Sequence, residues 1–155
     1  MSDAYKEIVN LLKINNARYG ETKHQPVYTS QQAAKVRGIL ESQIAKSLLL
    51  KCGNDFVLAV LPGDRKLDSE KLKKLLKIRK FRFATPEEVK NKMGCEIGAC
   101  FPFGNLIGLS TIVDKSLSRN KVIFLNPGLH NVTMEIEWRD FYSIVKPQMV
   151  DISER

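Results

Sequence analysis

The chain has 155 residues, a length typical of a single domain, and its hydrophobic fraction of 43% and charged fraction of 27% are ordinary for a globular protein. No stretch approaches the roughly 20 apolar residues of a membrane span, and charged residues within the first 16 positions interrupt any signal-peptide core. Lys and Arg total 25 against 17 Asp and Glu, a net charge of +8. This excess favours an anionic partner, nucleic acid first, over a basic surface that is merely solvated.

The cysteine content indicates the cellular compartment. An odd number of cysteines is more typical of reduced thiols than of the even disulfide framework of a small secreted domain. We therefore expect a cytoplasmic protein. The three residues are Cys52, Cys95 and Cys100.

The N-terminal third is predicted to contain two helices. Apolar residues at helical spacing predict a helix over Asp3–Arg18. We expect residues 1–20 to pack as a helix on a domain formed by residues 21–155. The segment Thr29–Gln32 resembles a capping box and predicts a short helix, with Gly38 suited to the position after its last turn.

The middle of the chain is predicted to be a β-hairpin followed by a helix. Lys46–Cys52 and Asp55–Leu61 are apolar runs separated by Gly53-Asn54, a sequence typical of a tight hairpin turn. Leucines at helical spacing then predict a helix over Asp68–Ile78, and Phe81–Ala84 is predicted to be a short strand.

The second half is rich in short β segments. Thr85–Glu88 predicts a helix start, with Thr as the cap and Pro at the first helical position, and Gly94 ends that helix. Many short strands with interleaved helices predict a single-domain mixed α+β fold around one curved or closed mixed sheet. The further predicted elements are strands at Leu109–Val113, Val122–Leu125, Val132–Ile136 and Pro147–Ile152, with a helix at Trp138–Val145.

Lys46 is the first candidate functional residue. Because side chains alternate along a strand, Lys46 shares a face with Leu48 and Leu50. If this is the core face, the ammonium points inward at the end of a sheet and requires an anionic partner or a cleft. The alternative is that Lys46 lies in solvent before the strand begins.

A Gly/Pro-rich loop, Gly98–Gly104, is the second candidate. Glycine allows close backbone approach to a ligand and proline stiffens the turn, although an ordinary connector has the same composition. Cys100 and His130 could form a thiol dyad, and the alternative is that Cys100 is a small apolar residue beside a turn. His130, in the turn Asn126–Asn131, could contact a ligand or cap the turn.

Metal and cofactor sites are not predicted. The histidines, His24 and His130, are far apart in sequence, and Cys95 and Cys100 have no second pair with the spacing of zinc ligands.

A dense basic run extends from Arg65 to Arg82, in which Asp68 and Glu70 are the only acidic residues. Such a run is either a solvated helix face or a surface for the phosphate backbone of a nucleic acid. The lysines of the predicted helix that would bind this backbone are Lys71, Lys73, Lys74 and Lys77.

Four segments, taken in order, resemble the YbaK/ProX family of aminoacyl-tRNA deacylases, whose fold also forms the editing domain of bacterial prolyl-tRNA synthetases. The resemblance covers about residues 24–152. The segments are Val27–Ser30 with Ala33-Ala34 and Gly38, leading to Ile44–Leu48; then Gly98–Gly104; then Ile112–Asp114; and finally Asn126–Thr133.

The resemblance implies a closed mixed β-barrel with flanking helices and a set of site residues. Lys46 matches the lysine thought to hold the acceptor end of tRNA, and Gly98–Pro102 matches the Gly-x-x-x-Pro loop that positions the aminoacyl ester and water. Many relatives have a second glycine where this chain has Ala99. The implied catalytic residues are Lys46, Gly98, Ala99, Cys100 and Pro102, and the implied substrate-binding residues are Phe101, Phe103, Asp114, His130 and Thr133.

The implied reaction is hydrolysis of the ester bond of mischarged aminoacyl-tRNA. An aminoacyl ester is already activated, so its hydrolysis requires an oriented water and a stabilised oxyanion rather than a strong nucleophile. Two alternatives remain: a catalytically silent module that binds tRNA or a synthetase, and a thiol hydrolase that uses Cys100. The implied partner is aminoacyl-tRNA, with an aminoacyl-tRNA synthetase as a second candidate and no membrane.

Overall fold

A computed structural model describes residues 3–154 as one mixed β-sheet with helices on both of its faces. The strands are β1 (Tyr19–Lys23), β2 (Ile44–Cys52), β3 (Asp55–Pro62), β4 (Arg82–Phe83), β5 (Thr111–Asp114), β6 (Val122–Leu125), β7 (Val132–Glu137) and β8 (Gln148–Val150). The α-helices are α1 (Asp3–Ile14), α2 (Ser30–Arg37), α3 (Ser69–Leu76), α4 (Pro86–Met93) and α5 (Trp138–Val145). Short 3₁₀ helices lie at Glu41–Gln43, Gly104–Leu106 and Lys115–Arg119.

Local capping interactions determine where the short helices begin. The Thr29 hydroxyl accepts a hydrogen bond from the Gln32 N–H at 3.1 Å, and Thr85 and Glu88 form a reciprocal capping box at the start of α4. The Asp68 carboxylate caps α3, so this helix begins one residue later than predicted. Because the caps at Thr29 and Thr85 involve neighbouring residues, the sequence pattern was sufficient to predict them, whereas the cap at Asp68 was not predicted.

The N-terminal helix is shorter than predicted. It ends at Ile14, and Asn16 then adopts a left-handed conformation with φ of 54°. The following residues form β1, which pairs antiparallel with β7 from Tyr19↔Ile136 to Lys23↔Val132. The prediction of helix as far as Arg18 was therefore wrong over its last turn.

The sheet has the order β1-β7-β6-β2-β3-β5-β8, with β4 paired separately with β2. The pairs β6/β2, β3/β5 and β5/β8 are parallel and the remaining pairs are antiparallel. The terminal strands β1 and β8 do not pair with each other within residues 3–154, so the sheet is not closed. The mixed single-sheet prediction is confirmed, whereas the closed barrel is not.

Alternate residues of the central hairpin pack on opposite faces of the sheet. Leu49 and Leu58 lie in a core cluster that includes residues of α1, α4 and α5. Leu50 and Leu61 face the opposite cluster, to which α3 contributes Leu72. Burying this apolar surface on two faces is the main source of stability for such a layered domain.

The second edge of β2 creates the opening that positions the site. One edge pairs with β3 along the length of the hairpin. The other pairs with β6 only at Ile44 and Ala45, and with β4 only at Leu50 and Lys51. Within the described residues, the middle of β2 therefore has no neighbouring strand on that edge, and a cavity occupies this gap.

Candidate functional site

The cavity in the gap has a volume of about 540 Å³, a size that suits a small ligand. Its walls come from the segment before α2, the middle of β2, β4 and the loop before Pro102. The last residues of β6 and the start of β7 complete them. Among the described residues, Lys46 is the one cation and Glu41 the one carboxylate that line it. The lining also includes Tyr28, Ser47, Phe83, Ile97, Gly98, Cys100, Asn126 and Thr133.

Lys46 lies on β2 and its side chain is half-buried at the cavity wall. Its Nζ donates a hydrogen bond to the Arg65 backbone oxygen at 2.5 Å. Burial lowers the pKa of the Lys46 ammonium below its ordinary value, although the carboxylates of Asp64 and Glu41 oppose this shift. An ammonium has three N–H donors, so this bond leaves two for a ligand. Lys46 shares its face with Leu48 and Leu50, as the alternation predicted.

Gly98 is held in a conformation that only glycine adopts readily. Its φ is +90°, and a Cβ there would lie 3.0 Å from the Tyr28 backbone oxygen and 3.4 Å from Cε1 of His130. The Asn126 side-chain amide donates a hydrogen bond from Nδ2 to the Gly98 oxygen at 3.0 Å. The loop therefore approaches the Tyr28 backbone closely, and the hydrogen bond from Asn126 also holds it in place.

The remaining loop residues point mostly into the core rather than into the cavity. Ala99, Phe101 and Phe103 are at most 1% exposed and belong to the main core cluster, and Pro102 is also buried. The Phe103 ring packs edge-on against Phe141, with centroids 5.7 Å apart. These four residues do not line the cavity, so any contribution they make to the site is through the shape of the loop.

Two thiols lie near the start of the loop, with Cys95 before Gly98 and Cys100 within the loop. Cys95 is buried and Cys100 lines the cavity. Hydrogen bonding to Cys100, together with burial, raises the pKa of the Cys95 thiol. The same hydrogen bond lowers the pKa of Cys100, against the opposing effect of burial. The Gly98 backbone also lowers the pKa of Cys100, whereas His130 does not contribute to this shift, and its Nδ1 contacts the Val27 oxygen at 3.2 Å.

Two histidines contact residues that line the cavity. The His130 ring packs on Tyr28 with centroids 4.5 Å apart, close to Gly98 but outside the cavity lining. Thr133 lines the cavity, and its hydroxyl lies 2.7 Å from Nε2 of His24. Nδ1 of His24 lies 2.7 Å from the Gln25 carbonyl, which can only accept, so Nδ1 donates there.

Asp114 lies away from the cavity and connects chain segments. One carboxylate oxygen accepts the backbone N–H groups of Ile152 and Ser153 at 2.9 and 3.1 Å. The other accepts from the Ser116 N–H and from the hydroxyls of Ser116 and Ser153. Burial acts to raise the pKa of Asp114, but these hydrogen bonds outweigh it and the pKa lies below its ordinary value. Its role in substrate binding stays a prediction.

The predicted phosphate-binding lysines have unequal surroundings. Lys71 bonds to Asp151 at 3.0 Å, and Lys73 pairs with Glu70 at 2.9 Å. Lys74 and Lys77 are exposed, and across the described part of the chain neither has a carboxylate within 4.0 Å. Lys77 follows the last turn of α3 with a left-handed φ of 56°.

Most residues of the cavity lining were not among the predicted site residues, and three of them with polar side chains are Tyr28, Ser47 and Asn126. Ser47 Oγ and Asn126 Oδ1 are buried without a hydrogen-bond partner among the residues described, which is unusual for native proteins and is a frequent property of ligand sites. All three lie within the segments that carried the family resemblance. Their sequence signal was therefore present, but nothing local distinguished them from cap and turn residues.

Within residues 3–154, no group of three or more His, Cys, Asp or Glu side chains could hold a metal ion. No helix in that part of the chain is long and apolar enough to cross a membrane.

Residues 24–144 match the model of the aminoacyl-tRNA editing domain, which covers well over half of the chain. The chain belongs to the aminoacyl-tRNA editing domain family. The predicted resemblance is thereby confirmed, and the family match includes Lys46, the Gly98–Pro102 loop and Asn126.

Relatives in this family are either parts of synthetases or separate proteins. The proline--tRNA ligase of Fervidobacterium nodosum is 34% identical over 118 residues, which are 74% of this chain and 20% of the ligase. The chain thus spans about a fifth of that relative. The multifunctional Ser/Thr-tRNA deacylase ProXp-y of Escherichia coli K12 is 27% identical over 155 residues, covering 97% of this chain and 93% of the deacylase.

The fold has also been observed experimentally. A crystal structure of a protein proposed to be a trans-editing enzyme for prolyl tRNA synthetase superimposes with a TM-score of 0.86 at 23% identity. The match covers 100% of this chain and 99% of that one. The open eight-stranded sheet is therefore a fold that other sequences also adopt.

Proposed function

We propose that this editing domain hydrolyses the ester bond of mischarged aminoacyl-tRNA, with the terminal ribose and the amino acid bound in the cavity. The observation that carries the proposal is the convergence of a half-buried lysine and a positive-φ glycine loop on one cavity. Family membership supports the choice of substrate class.

Lys46 binds the anionic end of the RNA in this proposal. Two of its three ammonium donors are free to bond a phosphate or ribose oxygen of the terminal nucleotide. The third donor bonds to the Arg65 backbone oxygen and already holds the Lys46 side chain in place. Little side-chain entropy is therefore lost when the substrate binds.

The loop stabilises the oxyanion that forms when water attacks the ester carbonyl. The Ala99 N–H already donates to the Glu96 oxygen at 3.0 Å, and Pro102 has no N–H. The Cys100 N–H, on the loop residue that borders the cavity, is the donor we assign to the oxyanion. The water oxygen bonds to the carbonyl carbon, the bond to the ribose oxygen breaks, and the ribose hydroxyl leaves with a proton.

The terminal ribose supplies the activation that this chain lacks. The adjacent hydroxyl of the ribose lies beside the ester and helps to orient and deprotonate the attacking water. Holding both partners in one cavity converts a bimolecular reaction into an effectively unimolecular one. This chemistry requires neither a nucleophilic side chain nor a metal.

The proposal is tested by measuring amino acid release from a panel of mischarged tRNAs, using purified protein. Serine and threonine esters belong in the panel because the Escherichia coli relative is named a Ser/Thr-tRNA deacylase. Proline tRNA carrying other amino acids belongs there because another relative is a proline--tRNA ligase. Turnover of at least one mischarged tRNA, with correctly charged tRNA spared, is expected.

The second candidate is a catalytically silent module that binds tRNA or a synthetase. It predicts binding without turnover across the whole panel. A synthetase partner is tested separately by adding the synthetase to the deacylation assay, since a complex that transfers substrate directly raises the rate at limiting tRNA.

A further inference from the structure

Exposed apolar side chains are concentrated at the mouth of the cavity. Seven large hydrophobic residues are exposed among the residues described, and three of them line this cavity. Tyr28 is 59% exposed, Phe83 57% and Ile97 51%. They come from three separate chain segments, so their convergence is a product of the fold. A grouped apolar rim of this kind marks a binding surface more often than scattered hydrophobic residues do.

Tyr28 is rigidly placed at this rim. Its N–H donates to the Gln32 side chain at 2.8 Å, at the start of α2. One face of its ring packs on His130, at a centroid distance of 4.5 Å and an interplanar angle of 41°. Its backbone oxygen closely approaches Gly98. The Tyr28 backbone therefore lies directly beside the loop that we assign to the ester, and the Tyr28 ring packs on the histidine that also borders Gly98.

We propose that Tyr28 and Phe83 form a stacking surface for the unpaired nucleobases at the 3′ end of the RNA. The inference rests on the proposed function, because the nucleotide that bears the ester must pass this rim. Bases of a single-stranded end are free to stack on aromatic rings, and every base has a π-face. The net charge of +8 and the Lys46 ammonium favour an anionic partner over a neutral or basic surface, and membership of the aminoacyl-tRNA editing domain family favours RNA as that partner.

The test is a cycle that removes the ring and the base separately. The RNA is a hairpin that carries no amino acid and has a short unpaired 3′ end. Its binding is compared, at one fixed salt concentration, with binding of the same hairpin lacking the base of its last nucleotide. Tyr28→Ala is expected to weaken binding of the intact RNA by about tenfold and to leave binding of the abasic RNA nearly unchanged. Phe83→Ala is measured in the same way, with the base removed at the preceding position.

Two control variants separate stacking from folding. Tyr28→Phe keeps the ring and is expected to bind as the parent does. Tyr142→Ala removes a ring that is 46% exposed on α5 and does not line the cavity, so it is expected to bind as the parent does. The backbone bonds of Tyr28 do not depend on its ring, so the alanine variant is expected to fold.

Equal weakening of intact and abasic RNA in Tyr28→Ala, or no weakening of either, overturns the stacking surface. A change in oligomeric state or in synthetase binding, without a change in RNA binding, assigns the rim to a protein partner instead and also overturns it. Because this RNA carries no amino acid, the outcome is independent of hydrolysis. If Tyr28→Ala weakens binding of the intact RNA alone but the parent hydrolyses no mischarged tRNA, only the proposed function is refuted. If the parent hydrolyses mischarged tRNA but Tyr28→Ala affects intact and abasic RNA equally, only this inference is refuted.

Discussion

Lysines at two places in this molecule differ in what surrounds them. Lys46 is half-buried at a cavity, bonds to a backbone carbonyl and retains free donors. On α3, Lys71 and Lys73 are already paired with carboxylates, whereas Lys74 is exposed. A surface ion pair contributes little and leaves little charge for a ligand, but a desolvated ammonium without a carboxylate partner gains strongly from an anion. The comparison supports the proposal that Lys46 binds the substrate, and it predicts only a secondary, salt-sensitive contribution from the lysines at α3.

The largest effect is expected for Lys46→Ala. Removing a preorganised donor at the reacting end should lower kcat/KM for deacylation by about 100-fold or more. The thermal midpoint should change little, because removing a desolvated ammonium offsets the loss of its bond to the Arg65 oxygen. Lys74→Ala is the matched control and should retain activity. Near-parental turnover in a folded Lys46→Ala variant contradicts the assignment.

A second prediction compares two glycines with left-handed backbones. Ala at either Gly98 or Gly108 costs about 1–2 kcal/mol of backbone strain. A Cβ on Gly108 meets nothing within 4 Å, whereas one on Gly98 meets the Tyr28 oxygen at 3.0 Å. Gly98→Ala should therefore lower kcat about tenfold to 100-fold by displacing the loop, while Gly108→Ala should lower only stability. Steady-state kinetics and thermal unfolding are measured for both. Equal activity losses would show that the loop position does not matter.

The elements that could be predicted from the sequence are those with local causes. Thr29, Thr85 and the Gly53-Asn54 turn determine their own structures through neighbouring residues, and these predictions are confirmed. β1 was missed because β7, the strand with which it pairs among the described residues, lies more than 100 residues later in the chain. The open sheet was also beyond local reasoning, since closure depends on whether the first and last strands meet.

The site was predictable where one residue type signals an unusual environment. A lysine on the core face of a strand and a Gly/Pro loop both led to the cavity. The orientation of Phe101 and Phe103 was not predictable, because an apolar residue in a loop suits a ligand pocket and a core equally well. Asp114 likewise depends on Ile152 and Ser153, which are distant in sequence.

Asp114→Asn separates a structural role from substrate binding. Weakening the hydrogen bonds of a buried carboxylate should lower the free energy of unfolding by about 2–3 kcal/mol. Because the folded-state pKa of Asp114 is depressed, its contribution is present above the unfolded pKa of about 3.9 and is lost as the pH falls through the folded pKa. Chemical unfolding between pH 7 and pH 3 should show a smaller loss of stability on acidification in the variant. A raised KM at unchanged stability would instead restore Asp114 to the substrate site.

The lysines at α3 are expected to contribute only salt-sensitive contacts to the RNA phosphates. Replacing Lys74 and Lys77 with Glu should weaken binding of every tRNA alike, and the slope of log affinity against log salt should fall by about one unit for each phosphate that is no longer bound. Replacing Lys73, which is already paired with Glu70, should add less. Saturating turnover should be unchanged, because these residues do not line the cavity. Titrations at several salt concentrations measure the slopes, and parental slopes would assign α3 to a solvated face.

The smallest effect is expected for Cys100→Ser, although Cys100 borders the cavity and carries a lowered pKa. The pKa of Cys100 is lowered mainly by a hydrogen bond from the Cys95 thiol, and among the described residues no histidine or carboxylate contributes to this shift. His130, the candidate base, does not contribute to the shift in the pKa of Cys100; its ring packs on Tyr28 and its Nδ1 contacts the Val27 oxygen. We assign the Cys100 backbone N–H to the oxyanion, and serine keeps that N–H. Turnover should therefore stay within about twofold of the parent, as expected when a side chain makes no interaction unique to the transition state. Loss of turnover, accompanied by a burst that shows a covalent intermediate in the parent, would establish the thiol mechanism instead.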